Sequence, residues 1–333
     1  MTLDSDELAS ALGAVLHGSL DGPVEVHDLR RLPGGASRMT WSCDARPVRG
    51  GRPVPLIFQQ ERPGGMRTST GMTVEASLLR AARAAGVPVA DVVVADGDPI
   101  ALASGVDLGP PWLIMHRIDG ETVPRRIFRD DALAPARAGM VAECGTALAA
   151  IHTIEPDSIP DLQSSDRLDQ HRQILDQLGE PHPALELGLR WLTANRPSAP
   201  VEERVVHGDF RTGNLIVGAD GLRAVLDWEL AHLGDPIEDL GWFCIRAWRF
   251  GSSLPAGGFG TRQQLVDAYE AAGGQAVDHD ALRWWETMGT FTWGVICMVQ
   301  AAAHRSGLSR SVELAAIGRR VCETEHDLLG LLP

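Results

Sequence analysis

Between Val205 and Glu229 the chain reads VVHGDFRTGNLIVGADGLRAVLDWE, and this stretch constrains the fold more than any other. A strand-like start, Val205-Val206, runs into His207-Gly208-Asp209. Asn214 to Val217 then pairs through an Asp220-Gly221 turn with Leu222 to Asp227. One loop and one hairpin therefore carry Asp209, Asn214 five residues later, and Asp227 thirteen beyond that. The hairpin sets Asn214 and Asp227 within reach of one ion and leaves Asp209 beside them. Their oxygens are the hard ligands that Mg²⁺ prefers, and a carboxylate next to a hydroxyl can orient it or take its proton. Any one of these acids could be a turn cap. The three together point to metal-assisted phosphoryl transfer.

A chain of 333 residues exceeds the size at which one core stops growing, so two lobes with a cleft between them are expected. Apolar residues make up 44% and no run of eighteen uncharged apolar residues occurs, which predicts a globular protein with no membrane partner. Met288 to Ala303, the most apolar segment, carries Thr290, Thr292 and Gln300 and reads as a buried core helix. The opening MTLDSDEL lacks the basic flank and apolar run of a signal peptide, so the cytoplasm is the expected location. Cys43, Cys144, Cys244, Cys297 and Cys322 have no paired spacing and are expected to be buried thiols rather than zinc ligands or disulfides. A formal charge of −14 disfavours a nucleic-acid partner. All thirty basic residues are Arg; the chain has no Lys.

Strands are predicted at Val24 to Leu32, Arg38 to Asp44, Pro53 to Gln60, Val92 to Ala95 and Pro111 to His116. A single helix through Val74, Leu78, Leu79, Ala82 and Ala85 packs against them and stops at Gly86 and Pro88. Past about residue 120 the pattern turns helical, with Met140, Val141, Cys144, Leu148 and Ile151 as one apolar stripe. Residues 155 to 200 read as a surface excursion with a polar helix at Asp166 to Leu178. Asp235-Pro236-Ile237-Glu238 and Thr261 with Gln264 are helix starts. Ser311 opens a final helix whose Leu314, Ile317, Val321 and Leu328 face inward.

With these motifs the chain resembles the aminoglycoside phosphotransferase-like family of the protein-kinase-like fold, in the branch similar to kinase-like domains joined to acyl-CoA dehydrogenases. The family signature H-G-D-x-x-x-x-N is met by His207, Gly208, Asp209 and Asn214. I/L-D-W/F-E is met by Leu226, Asp227, Trp228 and Glu229, and G-D-P-x-x-D-L by Gly234, Asp235, Pro236, Asp239 and Leu240. The resemblance implies an α+β, bilobal fold: a small antiparallel-sheet nucleotide-binding lobe over residues 1–118 and a mainly helical lobe over 119–333. It implies Asp209 as catalytic base, Asn214 and Asp227 as Mg²⁺ ligands, and His207, Asp235 and Asp239 as supports of the loop. Gly34, Gly35 and Ser37 would cover the phosphates of ATP or GTP, and adenine would lie near Met115 to Ile118 on backbone groups of His116 and Ile118.

One position departs from the pattern. Kinase-like folds place on the third strand a Lys that grips the phosphates and pairs with a Glu of the next helix. Glu75 suits the partner, but Gln59 stands at the Lys position. Arg38, Arg62 and Arg67 are the cations near enough to stand in, unless all three face solvent. Two function classes follow: a kinase acting on a small-molecule hydroxyl, and a nucleotide-binding pseudokinase or interaction module. A metal hydrolase using His207, Asp209 and Asp227 is a further alternative. Arg211 is expected to face the acceptor site. Arg117, Arg125, Arg126 and Arg129 form a basic run that could hold an anionic acceptor or simply be solvated. Trp242, Trp248, Trp284, Trp285 and Trp293 could stack on a sugar or fill core, and the loop Phe250 to Gly260 could close over the acceptor. Acceptor identity and oligomeric state stay open.

Overall fold

The computed structural model describes residues 4–20, 22–33, 38–62, 71–164, 166–197 and 202–333. Asp4 caps helix α1 (Ser5–Leu16): its carboxylate accepts from the amides of Asp6 and Glu7, and the Glu7 carboxylate accepts from the Asp4 N–H. The acidic opening is thus a capping box, a helix signal that the charge reading passed over.

Strands β1 (Val24–Arg31), β2 (Arg38–Pro47) and β3 (Val54–Glu61) form a meander. Helix α2 (Met72–Ala84), β4 (Val92–Ala95), a short α3 (Pro99–Ser104) and β5 (Trp112–His116) follow. All pairings are antiparallel in the order β1-β2-β3-β5-β4. Side chains alternate across the sheet with period two. Cys43, Ala45, Leu56, Phe58, Trp112 and Ile114 pack with Leu8, Leu12, Val15 and Leu16 of α1. Leu113 and Met115, with Ile57 against them, join α2 and the helical part of the molecule. The single helix expected on the sheet is therefore corrected to a helix on either face. The second was not read because α1 lies before the first strand signal.

The rest is helical around two hairpin-like pairs. Helices α4 (Pro124–Arg129), α5 (Ala134–Ile151), α6 (Arg167–Leu178) and α7 (Pro183–Ala194) precede β6 (Arg204–Val206), β7 (Leu215–Gly218), β8 (Gly221–Val225) and β9 (His232–Gly234). Helices α8 (Ile237–Cys244), α9 (Arg262–Ala271), α10 (His279–Arg305), α11 (Val312–Gly318) and α12 (Val321–Leu331) complete the chain. The α+β class is the one expected. Strand β6 pairs with β9 and β7 with β8.

Three expectations change here. Residues 155–200 are no surface excursion, because Leu168 and Leu175 of α6 and Leu185, Leu189 and Leu192 of α7 form a core with Trp284, Phe291 and Leu328. The apolar positions were diluted by polar ones facing out, which hid the stripe. The final helix is two, α11 and α12, separated at Arg319–Arg320. Cys322 is exposed while the other four thiols are buried, and none is paired. Helix α10 spans 27 residues, about 40 Å at 1.5 Å per residue, and buries Glu286, three threonines and two glycines among apolar side chains. Among the described residues no helix is long and apolar enough to cross a membrane.

Candidate active site

The loop after β6 owes its shape to a glycine and an acid. Gly208 has φ +76°, and a Cβ there would meet the Leu230 carbonyl oxygen at 2.3 Å, so only glycine fits between His207 and Asp209. Asp239, on the first turn of α8 and fully buried, accepts the His207 N–H at 2.7 Å, the Gly208 N–H at 2.9 Å and His152 Nε2 at 3.2 Å. Burial works against its ionisation, yet His152, His207 and these backbone bonds hold its pKa below the usual carboxylate range. His152 Nδ1 in turn meets the Tyr269 hydroxyl at 2.9 Å.

His207 receives the Asp209 N–H on Nδ1 at 3.2 Å and donates from Nε2 to the Leu226 carbonyl at 3.1 Å. These partners assign the neutral Nε2–H tautomer, and burial lowers the ring's pKa despite Asp239 and Asp209 nearby. The imidazole thus ties the Asp209 loop to the residue preceding Asp227. Its geometry is that of a brace rather than a proton carrier, and Asp235 likewise caps Ile237 at 2.9 Å and accepts from Trp285 Nε1 at 2.8 Å.

Asp209 is buried to 9% exposure and held from three sides. Arg211 Nε lies 3.0 Å from both carboxylate oxygens, Asn214 Nδ2 donates to Oδ2 at 2.7 Å, and Trp242 Nε1 donates to Oδ1 at 2.9 Å. Arg211 therefore sits on the Asp209 carboxylate, with its guanidinium over the Trp248 ring at 4.9 Å, instead of projecting free towards an acceptor. With the Asn214 nitrogen engaged, its Oδ1 is the end turned away from Asp209. The Leu226 N–H donates to the Asn214 carbonyl at 2.8 Å, closing the hairpin base that aligns Asn214 with Asp227.

Asp227 adopts φ +67°, the left-handed region in which Asp and Asn are the tolerated branched choices. Burial first, then Glu229, Asp209 and Glu75, push its carboxyl up to about 7. Four carboxylates crowd this place against Arg38 and Arg211, and a hard divalent cation fits such an oxygen-rich, negatively charged donor set. Among the described residues no three His, Cys, Asp or Glu are grouped so as to hold a metal ion by themselves.

A sign follows for the metal-free protein. An unfolded Asp ionises near pH 4, whereas folded Asp227 keeps its proton to about pH 7, so in that window the folded state binds more protons and stability falls as pH rises. Asp227→Asn, which suits the same backbone, removes this burden. Urea denaturation in chelator at about pH 8 is expected to find the variant more stable by about 1–3 kcal/mol, with little difference near pH 4. An unchanged slope with pH would contradict the assignment.

A cleft of about 550 Å³ separates the sheet from this hairpin and is lined by Met115, Ile118, Gln59, Glu75, Asn214 and Asp227 among others. The volume and the apolar walls suit a purine nucleotide. The His116 N–H is already given to the Asp91 carbonyl at 2.9 Å, so it offers no donor to a base. Gln59 bonds only weakly, to Thr40 Oγ1 at 3.5 Å. Arg38, far from facing solvent, is 7% exposed and pairs with Glu75 and, at 3.5 Å, with Glu229. Gly34, Gly35, Ser37 and Arg67 lie outside the described residues. Arg62 Nε donates to the Arg38 carbonyl at 3.3 Å.

The other expected substrate features are dispersed. Arg117 turns to the sheet, on Ser42 and Asp44, Arg126 pairs with Glu121, and Arg125 and Arg129 are exposed. The tail of the Phe250 to Gly260 loop is fixed: residues 256–260 are buried, and the Gly257 carbonyl accepts from Thr212 Oγ1 at 2.7 Å. Trp242, Trp248 and Trp284 are core, as the helical spacing allowed, but Trp242 also grips Asp209. That contact and the Arg167 reach to the Gly208 carbonyl and Glu238 were missed. The one available signal was a buried indole N–H needing a partner.

Residues 28–285 match the model of the phosphotransferase enzyme family. The chain belongs to that family. As a phosphotransferase family member it is 28% identical over 247 residues to acyl-CoA dehydrogenase family member 11 of Gallus gallus, 66% of this chain but 30% of the relative. Its identity to member 10 of Mus musculus is 27% over 272 residues, 77% of this chain and 23% of that one. The chain thus spans less than a third of these relatives' length. Among solved structures, a putative aminoglycoside phosphotransferase from Ralstonia eutropha superposes with a TM-score of 0.73 at 19% identity over 97% of each chain. A choline/ethanolamine kinase family protein from Mesorhizobium loti gives 0.62 at 18% identity, covering 91% of this chain and 87% of that one. The fold is therefore the bilobal protein-kinase-like one.

Proposed function

We propose that this phosphotransferase family member is an ATP- and Mg²⁺-dependent kinase of a small-molecule hydroxyl, acting in the cytoplasm, with a nucleotide lobe at 1–118 and an acceptor-binding helical lobe at 119–333. The observation that carries this reading is the Asp209 carboxylate, fixed by Asn214, Arg211 and Trp242 beside the cleft that Asp227 lines. Asp209 orients the acceptor hydroxyl and takes its proton as the hydroxyl oxygen bonds to the γ-phosphorus and the bond to the leaving ADP oxygen breaks. Arg211 and Trp242 hold the carboxylate's rotamer, and Arg211 yields one oxygen to the incoming hydroxyl. Asn214 and Asp227 would hold Mg²⁺, which neutralises charge on the β- and γ-phosphate oxygens. Adenine lies against Met115, with the Ile118 N–H as the donor, since among the described residues it has no backbone partner.

Calorimetry with ATP and GTP, with and without Mg²⁺, followed by a labelled γ-phosphate transfer assay across aminoglycoside, macrolide, choline-like and hydroxyacyl-thioester acceptors, tests the reading. Metal-dependent nucleotide binding and a phosphorylated acceptor are expected. Gln59 favours a second reading, a nucleotide-binding pseudokinase. It predicts binding without transfer to any acceptor, unchanged by Gln59→Lys.

A further inference from the structure

Strands β2 and β3 pair with Thr40 opposite Gln59 and Arg38 opposite Glu61. Because alternate residues share a face, Arg38, Thr40 and Gln59 all point to the side of the sheet that lines the cleft, and all three border it. Arg38 is the diagonal neighbour of Gln59, two positions along the adjacent strand, a separation that a long side chain spans. Its guanidinium is nearly buried, which for an arginine requires paired charge. That pairing comes from Glu75 of α2, itself 3% exposed, and from Glu229, two residues past Asp227. Glu75 also accepts from the Trp228 amide, so one cation joins β2, α2 and the segment that carries Asp227.

The position vacated on β3 is thus not matched by a missing charge in the cleft. The carboxylate on the helix has a cation; that cation arrives from the neighbouring strand. Resting on the nucleotide-site reading above, we propose that Arg38 has taken over the work of the third-strand Lys, gripping the α- and β-phosphates of the nucleotide while it pairs with Glu75. Gln59 is then free to be neutral because a second cation there would face Arg38 at close range. A guanidinium also suits this place for a physical reason: its planar fork can serve a carboxylate along one edge and phosphate oxygens along the other, which a point-like ammonium does less well.

The test separates phosphate recognition from structural support by comparing ATP with adenosine. In the full chain with Mg²⁺, Arg38→Met is expected to weaken ATP binding by about ten- to a hundredfold, the loss of one charge-assisted contact, and to leave adenosine affinity unchanged. Adding Gln59→Lys to that variant is expected to recover at least about tenfold, because it returns the cation to β3. If Arg38→Met does not fold, the exchange variant Arg38→Gln with Gln59→Arg, which keeps one cation facing Glu75, replaces it and is expected to bind ATP near parental strength. Equal losses for ATP and adenosine, or no loss for either, overturn the proposal and leave Arg38 a structural tie. So does a gain from Gln59→Lys that is the same in the parent as in Arg38→Met. A parent protein that binds no ATP at all would instead sink the nucleotide-site reading, so the two failures are distinguishable.

Discussion

Asp209→Asn is expected to slow phosphate transfer by about a thousandfold, some 4 kcal/mol of barrier, with ATP affinity unchanged. The geometry dictates both halves. Asp209 accepts from Arg211, Asn214 and Trp242, and a neutral amide in the same volume keeps an acceptor for one of them but cannot take the hydroxyl proton. In the proposed reading the nucleotide contacts come from the other side of the cleft, so the substitution leaves them in place. The loss should appear equally in kcat and kcat/KM, the pattern of a group that acts only in the transition state. Single-turnover transfer measured beside calorimetric ATP binding checks it. A loss under about tenfold would mean that the hydroxyl needs positioning but no base.

Asp239→Ala is expected to cost about 3–5 kcal/mol of unfolding free energy, the largest stability effect in this site. Its two oxygens satisfy the His207 and Gly208 amides and His152 at zero exposure, and alanine leaves all three buried without an acceptor. Each stranded donor costs about 1–3 kcal/mol. Urea denaturation measures this directly, and a cost below about 1 kcal/mol would show that the loop is held by Thr212 and Asn214 instead. The pH dependence has a definite sign. Folded Asp239 has a lowered pKa, so its contribution is present above the unfolded value near 4 and is lost as pH falls through the folded one. Asp239→Ala should therefore flatten the acid limb of the stability curve, while Asp227→Asn changes the limb between about pH 4 and 7.

Local signals of two kinds were strong enough to be read directly. Runs of β-branched and aromatic residues between Gly and Pro marked the five strands of the sheet, and the Asp220-Gly221 turn marked the β7-β8 hairpin, because such runs and tight turns are written in adjacent residues. The same was true of the caps: Thr261 and Gln264 form the reciprocal box that their spacing announces. Where the periodicity was diluted, as in α6 and α7, or sat ahead of the first strand, as in α1, the reading failed.

For the site, the sequence by itself determined which oxygens and which glycine stand at 208, 209, 214 and 227, since loop spacing and a positive φ leave few residue types permissible. It also determined that the third strand carries no cation. Only the tertiary structure decided what surrounds those groups. Trp242 reaches Asp209 across 33 positions, Asp239 ties the loop from 31 and 32 positions away, and Arg38 meets Glu75 from a different strand than the one expected. Charge and hydrogen bonding are satisfied by proximity in space, and a buried carboxylate accepts whichever donor the packed core brings to it.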